Sequence, residues 1–246
     1  MTERLNHLAL AALLAGAAQA QYPYIFTQGH FDIGISYEQD NGGWHLHVHD
    51  EEGMRELEPE EVLFYASADA RTTMPNDPRF GFIGVNPGDD VWILPQIENP
   101  LLPFLGVGSE EMPGDFFDEY FESDPRVNAS GRFITLELVA LRGPGQFSVW
   151  TTDAFGDPTA WMTTSDGIGK PDKIFTIEGG HAHYNWGFTA TGIYEMDVRA
   201  TAFKDGQLLA SDVVTYNFGV EAVPEPATLG ALGLGLAALA VRRRKA

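Results

Sequence analysis

The stretch Trp44-His45-Leu46-His47-Val48-His49-Asp50 constrains the fold more than any other part of the chain. Side chains on a β-strand alternate between faces with a period of two. An extended backbone therefore sets His45, His47 and His49 on one face and Trp44, Leu46 and Val48 on the other. The chain has seven histidines, one of which, His7, lies in a leader-like segment. The remaining ones outside the triplet fall in two further short patterns, Gly29-His30-Phe31-Asp32 and His181-Ala182-His183. Each pattern repeats at spacing two. Neutral imidazole is the commonest metal ligand and suits zinc, copper and nickel. The arrangement predicts a scaffold that carries imidazole-bearing strands to a metal site.

The rest of the body supports that scaffold. Strand-like runs at 31–38, 44–50, 62–68, 91–94, 132–141, 146–152, 173–178, 183–189, 193–203 and 208–218 are broken by Gly, Pro, Asn and Asp, and no long amphipathic helix competes with them. Short strands in this number predict an all-β fold, an antiparallel β-sandwich of immunoglobulin-like or jelly-roll type. Asn41-Gly42 and Asp205-Gly206 favour the type I′ turn of a two-residue hairpin. Tyr194, opening a strand after Gly192, fits the tyrosine corner of such sandwiches. Residues 71–130 are the least regular part. Their aromatic side chains, Phe104, Phe116, Phe117, Tyr120 and Phe121, predict a packed segment with a helical turn near 119–122, and long loops of this kind often serve as lids.

The two ends set the address. Residues 1–20 read as a signal peptide: Arg4, an apolar run over 8–18, and the small-x-small pattern Ala18-Gln19-Ala20. The exported domain then covers 21–222. At the other end Val223-Pro224-Glu225-Pro226 precedes an uncharged run at 227–241 and the cluster Arg242-Arg243-Arg244-Lys245. That order resembles a PEP-CTERM sorting signal over 223–246. The run is expected to be a transmembrane helix whose basic tail stays in the cytoplasm. The resemblance implies a Gram-negative protein held in the inner membrane facing the periplasm, processed by an exosortase, and delivered to the cell surface or extracellular matrix. Without the two ends, 33 acidic and 10 basic residues remain. So acidic a body repels nucleic acid and attracts cations. The absence of cysteine excludes disulfides and thiolate metal sites.

Two imidazoles at i and i+2 can close on one metal when a neighbouring strand supplies more ligands. Structural zinc takes four in a tetrahedron, and catalytic zinc takes three plus water. The candidate ligands are His30, Asp32, His45, His47, His49, His181 and His183. His47, His181 and His183 are expected as the core with His30 as a fourth, while His45, His49 and Asp50-Glu51-Glu52 offer a second, weaker zinc position. A two-residue turn at Asn41-Gly42 would set Glu38 opposite His45, Ser36 opposite His47 and Gly34 opposite His49. His30 would then lie on the order of 13 Å from His49, at about 3.3 Å per residue. Either a bend closes that gap, or His30 belongs with His181 and His183.

A broader likeness uses the same residues. Gly29-His30-x-Asp32-Ile33-Gly34, Val91-Trp92-Ile93-Leu94-Pro95-Gln96, and His181-Ala182-His183-Tyr184-Asn185-Trp186-x-Phe188-Thr189 together resemble the choice-of-anchor M surface domain. The likeness spans most of residues 25–220. It implies a surface protein of a zinc-repressor-regulated subgroup, made under zinc scarcity to capture or store zinc, with no established enzyme activity. Two other readings stand beside it. A zinc hydrolase of carbonic-anhydrase type also uses His-x-His on a strand plus a third histidine, with Asp32, Asp50, Glu51 or Glu52 as its carboxylate. No His-Glu-x-x-His or Gly-x-Ser-x-Gly motif is present. The third reading is a structural or adhesive matrix protein without catalytic activity.

Overall fold

The structure, a computed structural model, describes residues 22–39, 43–112, 114–119, 124–127 and 130–223. Tyr24–Val223 form one compact unit. The alternating segments become strands, numbered here in chain order, and they fall into three sheets. The first runs β1 (Tyr24–Phe26), β5 (Val62–Ala66), β17 (Val214–Val220), β15 (Gly192–Lys204), β9 (Phe133–Arg142), β12 (Lys173–Ile177), with β16 (Gln207–Ala210) pairing β15. The second runs β11 (Pro158–Thr163), β10 (Phe147–Thr152), β14 (Asn185–Phe188), β7 (Asp90–Leu94), β6 (Arg71–Thr73). The third runs β13 (His181–His183), β8 (Pro103–Gly108), β2 (Gly29–Glu38), β3 (Gly43–Asp50), β4 (Arg55–Leu57).

The described residues are therefore all-β, but the expectation of a purely antiparallel fold is corrected. β1 pairs β5, β5 pairs β17, and β2 pairs β8, all in parallel. Parallel neighbours need a long crossover, and β2 and β8 have one, since β3 to β7 lie between them in the chain. Helical structure among the described residues is confined to 3₁₀ turns at Pro59–Glu61, Ala68–Ala70 and Pro78–Ile83. No helix among them is long and apolar enough to cross a membrane. The expected signal peptide (1–20), transmembrane helix (227–241), hairpin residues 41–42 and most of the helical turn at 119–122 lie outside the described residues.

One apolar core serves all three sheets. Phe64, Leu136 and Phe218 come from the first, Val149, Trp186 and Phe188 from the second, and Ile33, Val48 and Leu105 from the third. Each such side chain contributes about 1.5–3 kcal/mol on burial. Polar ties between sheets run through the same core. The Tyr216 hydroxyl donates to the His47 carbonyl (3.0 Å), and the Trp186 indole N–H donates to the Leu105 carbonyl (3.0 Å). Both acceptors sit on strands of the third sheet, so its position is set by directional bonds as well as by packing.

The two hairpins behave differently. Asp205 and Gly206 carry φ of 52° and 74°, and Lys204 pairs Gln207, which is the two-residue turn that the dipeptide predicts. In the β2–β3 hairpin Glu38 pairs Gly43, so four residues make the connection. The register is shifted by two from that expected: Asp32 faces His49, Gly34 faces His47, and Ser36 faces His45. A shift of two keeps every side chain on its face, but it draws Asp32 and His30 toward the triplet. His30 now lies opposite Glu51, whose backbone N–H donates to the His30 carbonyl (3.2 Å).

Part of the segment expected to be packed is buried, including Met112 and Phe117. Phe117 is buried and stacks on Trp44 with ring centroids 5.4 Å apart. Tyr194 is fully buried, and its hydroxyl donates to the Ala190 carbonyl (2.9 Å) and accepts from the Ala190 N–H (3.1 Å). A phenol bonded to backbone a few residues upstream is the tyrosine-corner contact. Tyr194→Phe strands both backbone groups, and we expect it to lower unfolding stability by about 1–3 kcal/mol. The denaturant midpoint should fall without a change in slope.

Candidate metal centre

Period-two alternation divides the third sheet into two chemistries. Phe31, Ile33, Ile35, Leu46, Val48, Leu105 and Val107 enter the core. The opposite face carries His181 and His183 from β13, His30 and Asp32 from β2, His45, His47 and His49 from β3, and Glu56 from β4. The register aligns them in rows. His183, Gly106, Asp32, His49 and Glu56 form one; His181, Gly108, Gly34 and His47 form the next.

β13 and β2 are not neighbours. β8 lies between them, so their backbones stand about 9–10 Å apart at the usual strand spacing. Yet His181 Nε2 lies 2.9 Å from Asp32 Oδ1. Glycine makes this possible. A Cβ on Gly106 would stand closer than 3.0 Å to Asp32 Oδ1 and 3.0 Å from His181 Nε2. On β2, a Cβ on Gly34 would likewise fall within 3.0 Å of His47 Nε2. Two bare stretches of backbone are the floor on which these side chains lie.

The surroundings fix the strands that bear the ligands. Ser109, fully buried at the end of β8, donates its hydroxyl to the Ile177 carbonyl (2.7 Å) and its N–H to the Gly180 carbonyl (2.8 Å). That ties the turn before β13 to β8. The Glu178 carboxylate accepts from the N–H groups of Asp115 (3.1 Å) and Phe116 (3.2 Å). It thereby anchors the loop in which Glu110 and Glu111 lie over the site.

Two groups of side chains on this face could hold a metal ion. In the first, one ligand atom each from His30, Asp32, His181 and His183 lie within 4.8 Å of one another. In the second, His45, His47 and Glu56 do the same. His47 thus sits with His45 and Glu56, not with His181 and His183 as expected, because β8 and β2 separate β3 from β13. His30 joins His181 and His183, with ring centroids 5.6 and 4.8 Å away. His49 belongs to neither group. Its Nδ1 lies 3.5 Å from Glu51, and it lines a cleft of about 230 Å³ that Asp32 and His47 also line. Asp50 points the other way, receiving bonds from the Arg55 guanidinium (2.8 Å) and the Gly53 N–H (2.9 Å).

Sequence reading did not single out Glu56, Glu110 or Glu111. Glu110 reaches to 3.8 Å from His181 Nδ1, and Glu111 to 3.7 Å from His47 Nε2. The signal available was the pair Gly106 and Gly108, at spacing two inside an apolar run. Glycines within a strand often mark close approach of other groups.

Electrostatics follow from burial. His47 is 2% exposed, and desolvation holds its imidazole down to about 4. His183 is lowered to about 4 for the same reason, with the neighbouring His181 and His30 adding to it. It stacks flat on Phe104 at 3.5 Å. Burial raises the Asp32 carboxyl, and the nearby His181 and His30 oppose the rise. His30 Nε2, His47 Nδ1 and His183 Nδ1 are buried with no hydrogen-bond partner. Buried imidazole nitrogens without hydrogen-bond partners, beside a buried carboxylate, form a ligand set that fits a cation.

The fold and this site define an all-β protein whose histidine and carboxylate groups could hold a metal ion. Residues 222–245 match the family model for the PEP-CTERM protein-sorting motif. That motif indicates an exported protein sorted to the cell surface through recognition by the exosortase machinery. No curated protein and no solved structure matches the chain.

The lowered imidazoles make a pH prediction for metal-free protein. Unfolding frees His47 and His183 to take protons at the ordinary value of 6.5, whereas the folded state takes them only near 4. The unfolded state binds more protons between those values, so their contribution to stability is whole above 6.5 and is lost as pH falls toward 4. Asp32, raised in the fold, binds its proton earlier than in the unfolded chain and softens the fall at the acid end. Thermal unfolding midpoints should therefore drop between pH 6.5 and 4, and by less in a His47→Gln/His183→Gln variant.

Proposed function

We propose that the exported domain captures or stores zinc under zinc limitation, with His30, Asp32, His181 and His183 as the ligands. The observation that carries this reading is the convergence of three imidazoles and one buried carboxylate within 4.8 Å, with His30 Nε2 and His183 Nδ1 left without hydrogen-bond partners. Three nitrogens and one oxygen are a ligand set zinc accepts, at about 2.0–2.2 Å. The strongly acidic body draws cations to the face. The resemblance to the choice-of-anchor M domain, with its zinc-repressor-regulated subgroup, supports the choice of metal.

Four protein ligands fill a tetrahedron and leave no position for an activated water. On that ground we read the protein as a binder rather than a hydrolase. The C-terminal run at 227–241 serves as a membrane anchor in the inner membrane until exosortase processing releases the domain to the surface. The β-sandwich assignment, of immunoglobulin-like or jelly-roll type, rests on the core shared by the three sheets and the tyrosine corner.

Zinc titration of the metal-free full-length chain, with absorption spectroscopy at the zinc edge, tests the assignment. We expect stoichiometric binding to three nitrogens and one oxygen. Changing His181 and His183 together to alanine should abolish the tight ion; binding that survived would refute the ligand set. Gly106→Ala alters no ligand but displaces Asp32, and should weaken the tight ion about 10–100-fold. Carbon dioxide hydration and ester hydrolysis should not exceed those of free zinc. A zinc-dependent rate abolished by changing Asp32 alone would favour the enzyme.

A further inference from the structure

The second group on the sheet face differs from the first in exposure and in what surrounds it. His45 and His47 extend from one strand with stacked rings, centroids 4.9 Å apart. Glu56 comes from the edge strand β4, its Oε2 3.9 Å from His45 Nδ1. Glu111, from the loop after β8, brings Oε2 to 3.7 Å from His47 Nε2. Only His47 is buried, and its Nδ1 has no hydrogen-bond partner. The side chains of His45, Glu56 and Glu111 are 39%, 46% and 43% exposed.

Glu56 and Glu111 flank the same pair of stacked imidazoles, one reaching His45 and the other His47. Two carboxylates beside two imidazoles, with no lysine or arginine paired to either among the described residues, are a destabilising arrangement that a divalent cation would relieve. The floor beneath is again glycine, since Gly34 alone leaves room for His47.

We propose that His45, His47, Glu56 and Glu111 form a second divalent-metal site, weaker and faster to exchange than the first and opening on the same cleft. The assignment rests on the metal-binding reading of this sheet face, and it deepens that reading by dividing the face into two positions. The first group draws on a buried carboxylate and on strands tied to the core. The second must order two exposed glutamates, each losing side-chain freedom on binding. It therefore binds more weakly. The cleft is lined by Asp32 from the first group, by His47 and Glu111 from the second, and by His49 between them. An ion released from the open site leaves into the space that borders the closed one.

Zinc titration of the full-length chain against a competing chelator separates the two. We expect two ions per chain, the second at least about tenfold weaker than the first. His45→Ala/Glu56→Gln should remove the weaker ion and leave the tighter one as in the parent. Gly34→Ala keeps all four ligands and should weaken the second ion about 10–100-fold, with circular dichroism reporting that the sheet is intact. His181→Ala/His183→Ala should remove the tight ion and spare the weak one. A single ion lost only in the His181/His183 variant would overturn the second site and leave the first standing. A single ion lost only in the His45/Glu56 variant would sustain this site and overturn the first. Two ions that both survive His45→Ala/Glu56→Gln would also overturn it.

Discussion

Three imidazole nitrogens buried without partners, on one face of one sheet, are the feature on which the site depends. An unsatisfied buried polar atom costs about 1–3 kcal/mol, and a fold carrying several must recover that from elsewhere. The recovery comes from the opposite face, where the same strands bury isoleucine, valine and leucine at near-zero exposure. Strand alternation makes the two inseparable. A residue inserted in β3 would exchange the imidazoles with Leu46 and Val48, removing core and site together.

The floor of the site is as important as its ligands. Gly106 lets Asp32 and His181, from strands that are not adjacent, meet over bare backbone, and Gly34 leaves room for His47. Glycine weakens a strand interior, by entropy and by the loss of a packing group. The core beneath, the Ser109 bonds and the Tyr216 and Trp186 ties offset that loss. The protein thus concentrates backbone weakness beneath the clustered imidazoles and carboxylates and reinforces the layer behind them.

Charge works at a longer range. With 33 acidic against 10 basic residues, the body has a field that favours cations over anionic ligands. Glu51, Glu110 and Glu111 lie at the rim of the site, each within 4.0 Å of a ring nitrogen. A cation arriving at this face meets exposed carboxylates first and buried imidazoles later. That order suits uptake of an ion from a dilute medium, the role proposed for a domain that carries a surface-sorting motif.

The sequence by itself determined the β character of the chain, the face on which each histidine lies and the sorting motif at its end, because these rest on local periodicity and composition. His45, His47 and His49 share a face under any register that keeps their strand extended. It did not determine which histidines meet. The hairpin connection is four residues rather than two, which moved Asp32 opposite His49. β8, with its proline and two glycines, does not read as a strand, yet it sits between β2 and β13 and sets which ligands can converge. His183 and Asn185 lie in one strand-like run but enter different sheets, parted at Tyr184. Glu56 and Glu111 joined the site through pairing and loop packing with distant residues. Only the tertiary structure decided these contacts, because strand order and parallel pairing depend on which long-range packing buries the most apolar surface, and no local pattern encodes that.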